Sequence, residues 1–313
     1  HDNLAVGSHN LDVKFNGVKW YLNSTFTGKI NIISSIILPT SNIYTYNSTY
    51  MANFIDKLGN SLSGKVDITI NGVKNTVNLV DGVGSAIVLL NPGSYTVRVV
   101  NQLNGEEKNQ TISVVKRIQD NNDLVTYYGS GDSFKVKVLN DNGNIAQGLT
   151  ITFNIDGKSY SAATDSNGYA YLNLNLNPGA YTLTSSYKGF SVKNTVTVKS
   201  TIGLPSNNVY TYNSNYKPDF LDKSGNILSG KVAYIVDGVR SEVNAADGLN
   251  VALNSGSYVV SVINPVTGEV KNQAVTVVDR IQDNNDLITY YGSGDSFRVK
   301  VLDDNGNAAG NVN

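Results

Sequence analysis

Apolar and polar residues alternate along most of the chain with a period of two. In the segment SFKVKVL, the apolar residues Phe134, Val136 and Val138 are separated by the charged Lys135 and Lys137. This alternation is typical of half-buried β-strands, because successive side chains of a strand point to opposite faces. No segment sustains the 3.6-residue period of a helix, and Asx-Gly and Pro-Gly turns separate the strand segments. The pattern therefore predicts an all-β protein built from short strands.

The chain also repeats itself. The segment RIQDNNDLVTYYGSGDSFKVKVLNDNGN begins at Arg117 and returns as RIQDNNDLITYYGSGDSFRVKVLDDNGN at Arg280, 163 residues later. Inside this period, two turn motifs recur about every 80 residues, which fits small domains in series better than a solenoid. Seven or so strands in each unit predict immunoglobulin-like Greek-key β-sandwiches in a linear array.

The units alternate between two subtypes, A and B. We predict closing strands of a partial domain at 1–33, a subtype A domain at 34–117 and a subtype B domain at 118–199. A second A domain follows at 200–280, and 281–313 carries the opening strands of a partial B domain. The half-domains fit a segment of a longer chain. The alternative is a sandwich split between consecutive chains, which would make a head-to-tail filament.

Composition narrows the function classes. The formal net charge is −1, from 24 Lys and Arg against 25 Asp and Glu, so we expect no nucleic-acid partner. There is no Cys, and the two His residues, His1 and His9, stand at the N-terminus. A repeated catalytic triad is therefore not expected. The longest apolar run, 31–39, is far below the ~20 residues of a membrane helix, so no membrane insertion is expected.

Two longer segments point to a family. The segments NDLVTYYGSGDSFKVKVLNDNGN and TFNIDGKSYSAATDSNGYAYLNLNLNPGAYTLTSSYKG resemble the immunoglobulin-like repeats of large adhesin-like surface proteins of methanogenic archaea. The resemblance is close over 118–199 and 281–307 and looser in subtype A. It implies an extracellular, cell-wall-associated chain that serves as a stalk or in adhesion. Its partners would be neighbouring repeats, identical chains, or a surface or glycan ligand.

The family supplies no catalytic residues, and we predict none. The chain is therefore expected not to be an enzyme. A carbohydrate-active enzyme with a carboxylate pair is the remaining enzymatic alternative, because glycoside hydrolysis needs only two suitably spaced acids.

The linker IQDNNDL and its copy combine carboxylates with Asn amides at a domain junction. Carboxylate and amide oxygens suit Ca²⁺, which is the one cofactor that the sequence suggests. The alternative is an Asx-rich turn, in which these side chains bind backbone N–H groups. The candidate ligands are Asp120, Asp123, Asp283 and Asp286.

Paired tyrosines follow each copy of this linker. We predict that Tyr127, Tyr128, Tyr290 and Tyr291 pack across a domain junction, with an aromatic platform for a sugar as the alternative. Changes at Asp120 or Tyr127 are then expected to alter the stiffness of the junction more than the stability of a core.

Two types of covalent modification are further candidates. Surface proteins of this general architecture sometimes join a core Lys to an Asn by an isopeptide bond, and Lys65 and Lys231 occupy matching S-G-K-V positions. The alternative is an outward lysine on a strand. Asn23, Asn47 and Asn109 begin N-x-S/T sequons, which are compatible with glycosylation but also arise by chance in such a sequence.

Overall fold

The computed structural model describes residues 4–310, which form β-strands and no helix. In that range no element could cross a membrane as a helix. The strands are, in chain order, β1 (Gly7–Phe15), β2 (Ser24–Ile32), β3 (Ile36–Ile37), β4 (Ile43–Thr45), β5 (Ser48–Phe54), β6 (Lys65–Ile70), β7 (Val73–Asn78), β8 (Val83–Val88), β9 (Gly93–Asn101), β10 (Glu107–Val115), β11 (Ile118–Gln119), β12 (Leu124–Tyr127), β13 (Ser133–Val138), β14 (Thr150–Ile155), β15 (Lys158–Ala163), β16 (Tyr169–Asn173), β17 (Gly179–Tyr187), β18 (Phe190–Lys199), β19 (Ile202–Gly203), β20 (Val209–Thr211), β21 (Ser214–Tyr216), β22 (Asp219–Phe220), β23 (Lys231–Val236), β24 (Val239–Asn244), β25 (Leu249–Val251), β26 (Gly256–Ile263), β27 (Val270–Val278), β28 (Ile281–Gln282) and β29 (Lys300–Val301).

Domain I (34–117) is a sandwich of two sheets. The small sheet has the order β3-β5-β8, and the large sheet has the order β4-β10-β9-β6-β7. The entry strand is divided between them, because β3 pairs antiparallel with β5 while β4 runs parallel to β10. The other pairs are antiparallel, and the chain crosses between the sheets several times while β6–β7 and β9–β10 form hairpins within the large sheet, as in an immunoglobulin-like Greek key.

Domain II (118–199) and domain III (200–280) repeat this arrangement. Their large sheets have the orders β12-β18-β17-β14-β15 and β20-β27-β26-β23-β24. In domain III the small sheet is interrupted, so that β19 pairs with β22 and β21 pairs with β25. Pro218 lies between β21 and β22, and it lacks the N–H group that a continuous strand would donate there.

Each sandwich buries its own core. In β5 the side chains alternate strictly, and Tyr50, Ala52 and Phe54 are buried in domain I. A separate cluster fills domain II, where Phe134 and Phe153 meet edge to face, and a third fills domain III. Each of the three domains has its own core and the same order of strands in its large sheet, which confirms the predicted tandem immunoglobulin-like architecture.

The end segments are simpler. The hairpin β1–β2 precedes domain I, and β28 and β29 follow domain III with the register of β11 and β13. Phe297 is 59% exposed, whereas its counterpart Phe134 is buried in domain II. Parts of the predicted end segments, residues 1–3 and 311–313, lie outside the described residues.

One buried carboxylate distinguishes domain I from domain III. Asp67 is paired with Lys74 at 2.7 Å, and it accepts hydrogen bonds from Thr76 and Gln102. The hydrogen-bonded lysine, then the Thr76 hydroxyl, lower the pKa of Asp67 to about 2. The equivalent position in domain III is Ala233.

We therefore expect Asp67→Ala to destabilise domain I near neutral pH. The folded pKa lies below the ordinary value of 3.8, so this stabilisation is present above pH 3.8 and is lost as the pH falls through about 2. The loss at pH 7 should be about 1–3 kcal/mol, measured by hydrogen exchange in β6–β9. Domain III peptides are the internal control. If Asp67→Ala lost as much stability below pH 2 as at pH 7, this account would be contradicted.

Candidate functional site: the joints between domains

The most deeply buried charge of the described residues lies at the joint between domains I and II. The side chain of Arg117 is 0% exposed. Its Nε donates to the carbonyl of Tyr46 at 2.8 Å, and its Nη1 donates to Asp141 Oδ1 at 2.8 Å. The guanidinium also lies 5.4 Å from the ring centroid of Tyr187. Planar Arg suits such a site, because its several donors and its flat face are used together.

The turn 140–144 of domain II packs against domain I. The hydroxyl of Thr45 donates to the carbonyl of Asn140 at 3.1 Å. Gly143 has a φ of 72° and lies against Ile43, so that a Cβ atom there would come within 2.5 Å of the isoleucine. Both the backbone conformation and the close approach therefore require glycine.

The hairpin end 187–190 of domain II closes the third side of this joint. Lys188 pairs with Asp141 at 2.8 Å, and Asn47 Nδ2 donates to the carbonyl of Lys188 at 3.2 Å. Burial raises the pKa of Asp141, but hydrogen bonds from Lys188 and Arg117 outweigh it and bring the pKa below its usual value. The carboxylate is thus held ionised between two cations.

The same joint begins again after domain III. Arg280 donates to the carbonyl of Tyr212 at 3.1 Å and to Asp304 at 2.7 Å, and Thr211 donates to the carbonyl of Asp303 at 3.2 Å. The side chain of Arg280 is 38% exposed, since described residues 281–310 have no counterpart of the hairpin end 187–190. The duplicated 28-residue segment thus contains both the arginine and the turn that it binds.

The joint between domains II and III is built differently. Tyr127 covers Gly225, where an added Cβ would clash with the tyrosine ring, and Gly129 abuts the carbonyl of Thr267. No hydrogen bond joins residues 118–199 to residues 202–278 in the part of the chain that the structure describes. A cleft of about 220 Å³ lies beside this contact.

The linker at this second joint is fixed to the domain that follows it. Glu269 is almost fully buried and accepts from the Thr201 N–H at 2.6 Å and the Ser200 hydroxyl at 2.7 Å. Glu106 holds residues 34–35 in the same way in domain I. Burial raises the pKa of Glu106, but these hydrogen bonds outweigh it and lower the pKa below its usual value.

The predicted calcium ligands are engaged within domain II. Asp120 accepts from the Tyr169 hydroxyl at 2.7 Å, which raises the pKa of that tyrosine, and Asp123 accepts from the Thr195 N–H at 2.8 Å. No group of three or more His, Cys, Asp or Glu within 4–310 could hold a metal ion. Both contacts join the linker to distant strands rather than closing a local Asx turn, so the calcium site and the Asx-rich turn both stay predictions. The counterparts in the C-terminal segment are exposed: Asp283 and Asp286.

The four tyrosines have three different environments. Tyr127 lies at the joint with domain III, whereas Tyr128 packs on the core of domain II. Tyr290 and Tyr291 are almost fully exposed. Packing across a domain junction stays a prediction for the four tyrosines, and so does the alternative of an aromatic platform for a sugar.

The candidates for covalent modification are on the surface. Lys65 and Lys231 are the exposed first residues of β6 and β23, and each stands opposite an Asn in the neighbouring strand, Asn78 or Asn244. This placement is that of an outward lysine rather than a core lysine, and the isopeptide bond stays a prediction.

The three sequon asparagines are all exposed. Asn47 also donates to the Lys188 carbonyl across the joint between domains I and II. Domain III has N-S-N at Asn213, so that its copy of this corner carries no sequon. Glycosylation stays a prediction.

The residues that connect the domains were not among the predicted site residues. Arg117 and Glu269 are the clearest examples, because a lone Arg or Glu at the end of a polar segment normally lies in solvent. One signal was present in the sequence: each Arg follows a domain that carries the corner Y-T-Y-N-S, at 44–48 and 210–214. The arginine binds the carbonyl at the centre of that corner.

No family model matches this chain, and no curated protein matches it. Among solved structures, it is similar to a Ca²⁺-stabilized adhesin that helps an Antarctic bacterium bind ice, with 14% identity over 87% of this chain and 82% of the other, and a TM-score of 0.20. It is also similar to a 1.5-MDa bacterial ice-binding adhesin (15% identity, 78% and 96% coverage, TM-score 0.24). The I9–I11 tandem of titin is a third (11% identity, 78% and 99% coverage, TM-score 0.36).

Gly143 offers a direct test of the joint between domains I and II. We expect Gly143→Ala to loosen it, because the added Cβ would meet Ile43, and to increase hydrogen exchange over residues 43–48. Gly157→Ala is the matched control, since Gly157 has a φ of 71° with nothing within 4 Å. Both variants carry a backbone strain of about 1–2 kcal/mol. Equal exchange over 43–48 in the two variants would refute the packing described.

Proposed function

We propose that this chain is a structural and adhesive repeat segment of an extracellular surface protein, in which it acts as a stalk or as an array of interaction surfaces. The observation that carries the proposal is the series of three β-sandwiches, in which the joint after domain I is repeated after domain III. Arg117 and Arg280 each donate to a carbonyl in the corner of the preceding domain and to the aspartate in the turn that follows. A fold that repeats its joints as well as its domains gives length and orientation to a linear array.

The proposal includes no catalytic role. The glutamates are all engaged in structural contacts: Glu106 and Glu269 hold linkers, Glu107 pairs with Arg98, and Glu242 pairs with Arg240. A glycosidase needs two carboxyl groups that face a common cleft and are free to act on the substrate. The attachment to a cell wall and the archaeal origin, which the resemblance to adhesin-like repeats implies, belong to the same proposal.

The head-to-tail filament is the alternative proposal, in which the two end segments would share one sandwich. The hairpin β1–β2 leads into residues 34–35 as β17 and β18 lead into residues 200–201, so it corresponds to closing strands. The strands β28 and β29 correspond to β11 and β13. Neither described end segment contains counterparts of β14, β15 and β16, which complete both sheets of domain II.

Antibody labelling tests the proposed location. Antibodies against the purified chain should label intact cells of the source organism, and mild protease treatment of those cells should release peptides of this sequence. An antibody against a cytoplasmic enzyme is the control for cell integrity. Labelling only after the cells are made permeable would reject the extracellular assignment.

A further inference from the structure

The two kinds of joint differ at one pair of positions. The first position is the residue directly before β3, β11, β19 or β28, and the second is the residue after the Asx that opens the turn of the same domain. The turns are equivalent, because the glycine N–H donates to the opening residue at 3.1 Å in both 140–144 and 222–226. The pairs along the chain are Ser35 with Lys57, Arg117 with Asp141, Thr201 with Lys223, and Arg280 with Asp304.

The two positions therefore change together. An arginine in the linker occurs where the turn offers an aspartate, and a serine or threonine occurs where the turn carries a lysine. Arginine next to Lys223 would place two like charges together without an acceptor for the guanidinium, which is unfavourable at a joint. Thr201 and Ser35 instead bond to Glu269 and Glu106 of their own domains.

The Arg117–Asp141 pair stiffens its joint because the guanidinium is desolvated. Bending between domains I and II would pull the fully buried Arg117 away from the Tyr46 carbonyl and from Asp141. Charge-assisted hydrogen bonds are the strong ones, and a buried guanidinium left without partners is costly. The turn and the hairpin end also hold domain I from two other sides.

The Ser/Thr–Lys pair leaves a joint free to bend. Domains II and III share no hydrogen bond among the described residues, and the linker is tied to domain III alone. The remaining contact is the Tyr127 ring on Gly225 and the Gly129 backbone on Thr267, beside the cleft of about 220 Å³. Such a contact loses little when the domains tilt, and relative motion is the usual behaviour of domains with small interfaces.

We infer that the identity of this residue pair determines whether each joint between domains is stiff or flexible. Arg–Asp joints are locked and Ser/Thr–Lys joints are hinges, so residues 34–199 move as one rigid A–B unit and the chain bends where an A domain follows a B domain. The inference deepens the proposed function, since alternating rigid units and hinges would give a stalk both reach and freedom of orientation. The difference in stiffness between the joints does not depend on where in or outside the cell the protein is located.

Distance distributions between spin labels test this inference on the full chain. Because the chain has no Cys, two cysteines at a time can be introduced for labelling, at 109 and 193 or at 193 and 272. The residues replaced, Asn109, Lys193 and Asn272, are exposed on β10, β18 and β27. We expect a narrow distribution for 109/193, across the Arg–Asp joint. The distribution for 193/272, across the Thr–Lys joint, should be at least about twofold wider.

The decisive variant installs the hinge pair in the locked joint. Arg117→Thr with Asp141→Lys should widen the 109/193 distribution to that of 193/272 and leave 193/272 unchanged. For the second joint, Gly225→Ala should shift the 193/272 distance by displacing Tyr127, whereas Gly59→Ala, at the same position of domain I with nothing within 4 Å, should change neither distance. Hydrogen exchange of the three cores checks that every variant is folded.

Two results would overturn the inference: equal widths for 109/193 and 193/272 in the parent chain, or an unchanged 109/193 width in the double variant. Neither depends on where the protein resides. Antibody labelling could therefore reject the extracellular role while the joint mechanics remain, and the reverse also holds.

Discussion

The arrangement of the first two domains depends on one buried guanidinium. Arg117 is excluded from solvent between two β-sandwiches, and a buried cation must have its donors satisfied within the protein. Its partners come from both sides, the Tyr46 carbonyl of domain I and the Asp141 carboxylate of domain II. The arginine can be satisfied only when the corner of one domain and the turn of the next are in register. A single residue therefore links the orientation of two otherwise independent cores.

Other features of the chain follow from this constraint. Gly143 allows the turn to approach β4 closely, and Lys188 adds a second cation to the carboxylate that the arginine uses. The constraint also accounts for the order of subtypes. An A domain ends in a linker that needs an aspartate in the next turn, and A domains themselves carry Lys57 or Lys223 there. Of the two subtypes, only B carries an aspartate at this position of the turn. An A domain is therefore followed by a B domain, and the two together make the 163-residue period.

Much of the fold could be predicted from the sequence because its causes are local. The two-residue alternation and the Asx-Gly turns specify strands and hairpins, and the internal repeat specifies tandem domains. The break between β21 and β22 also has a local cause in Pro218, although its effect on sheet pairing is visible only in the structure. Phe134 and Val136 are buried as their alternation predicts.

The joints could not be predicted in the same way, because burial of a polar residue depends on what the neighbouring domain brings to it. Arg117 contacts Tyr46, 71 residues earlier, and Asp141, 24 residues later, and no periodicity marks such a triplet. The acidic linker looked like a junction site, yet Asp120 and Asp123 bond within domain II. Comparing the copies of each joint position along the chain identifies the relevant pairs, since the linker and turn residues change together.

Residual dipolar couplings of the weakly aligned full chain test the central claim most directly. Each rigid body reports one alignment tensor, so couplings from the strands of domains I and II should fit a common tensor. Couplings from domain III should need a different tensor of smaller magnitude, because the second joint bends. Separate tensors for domains I and II, or one tensor for all three domains, would contradict the account.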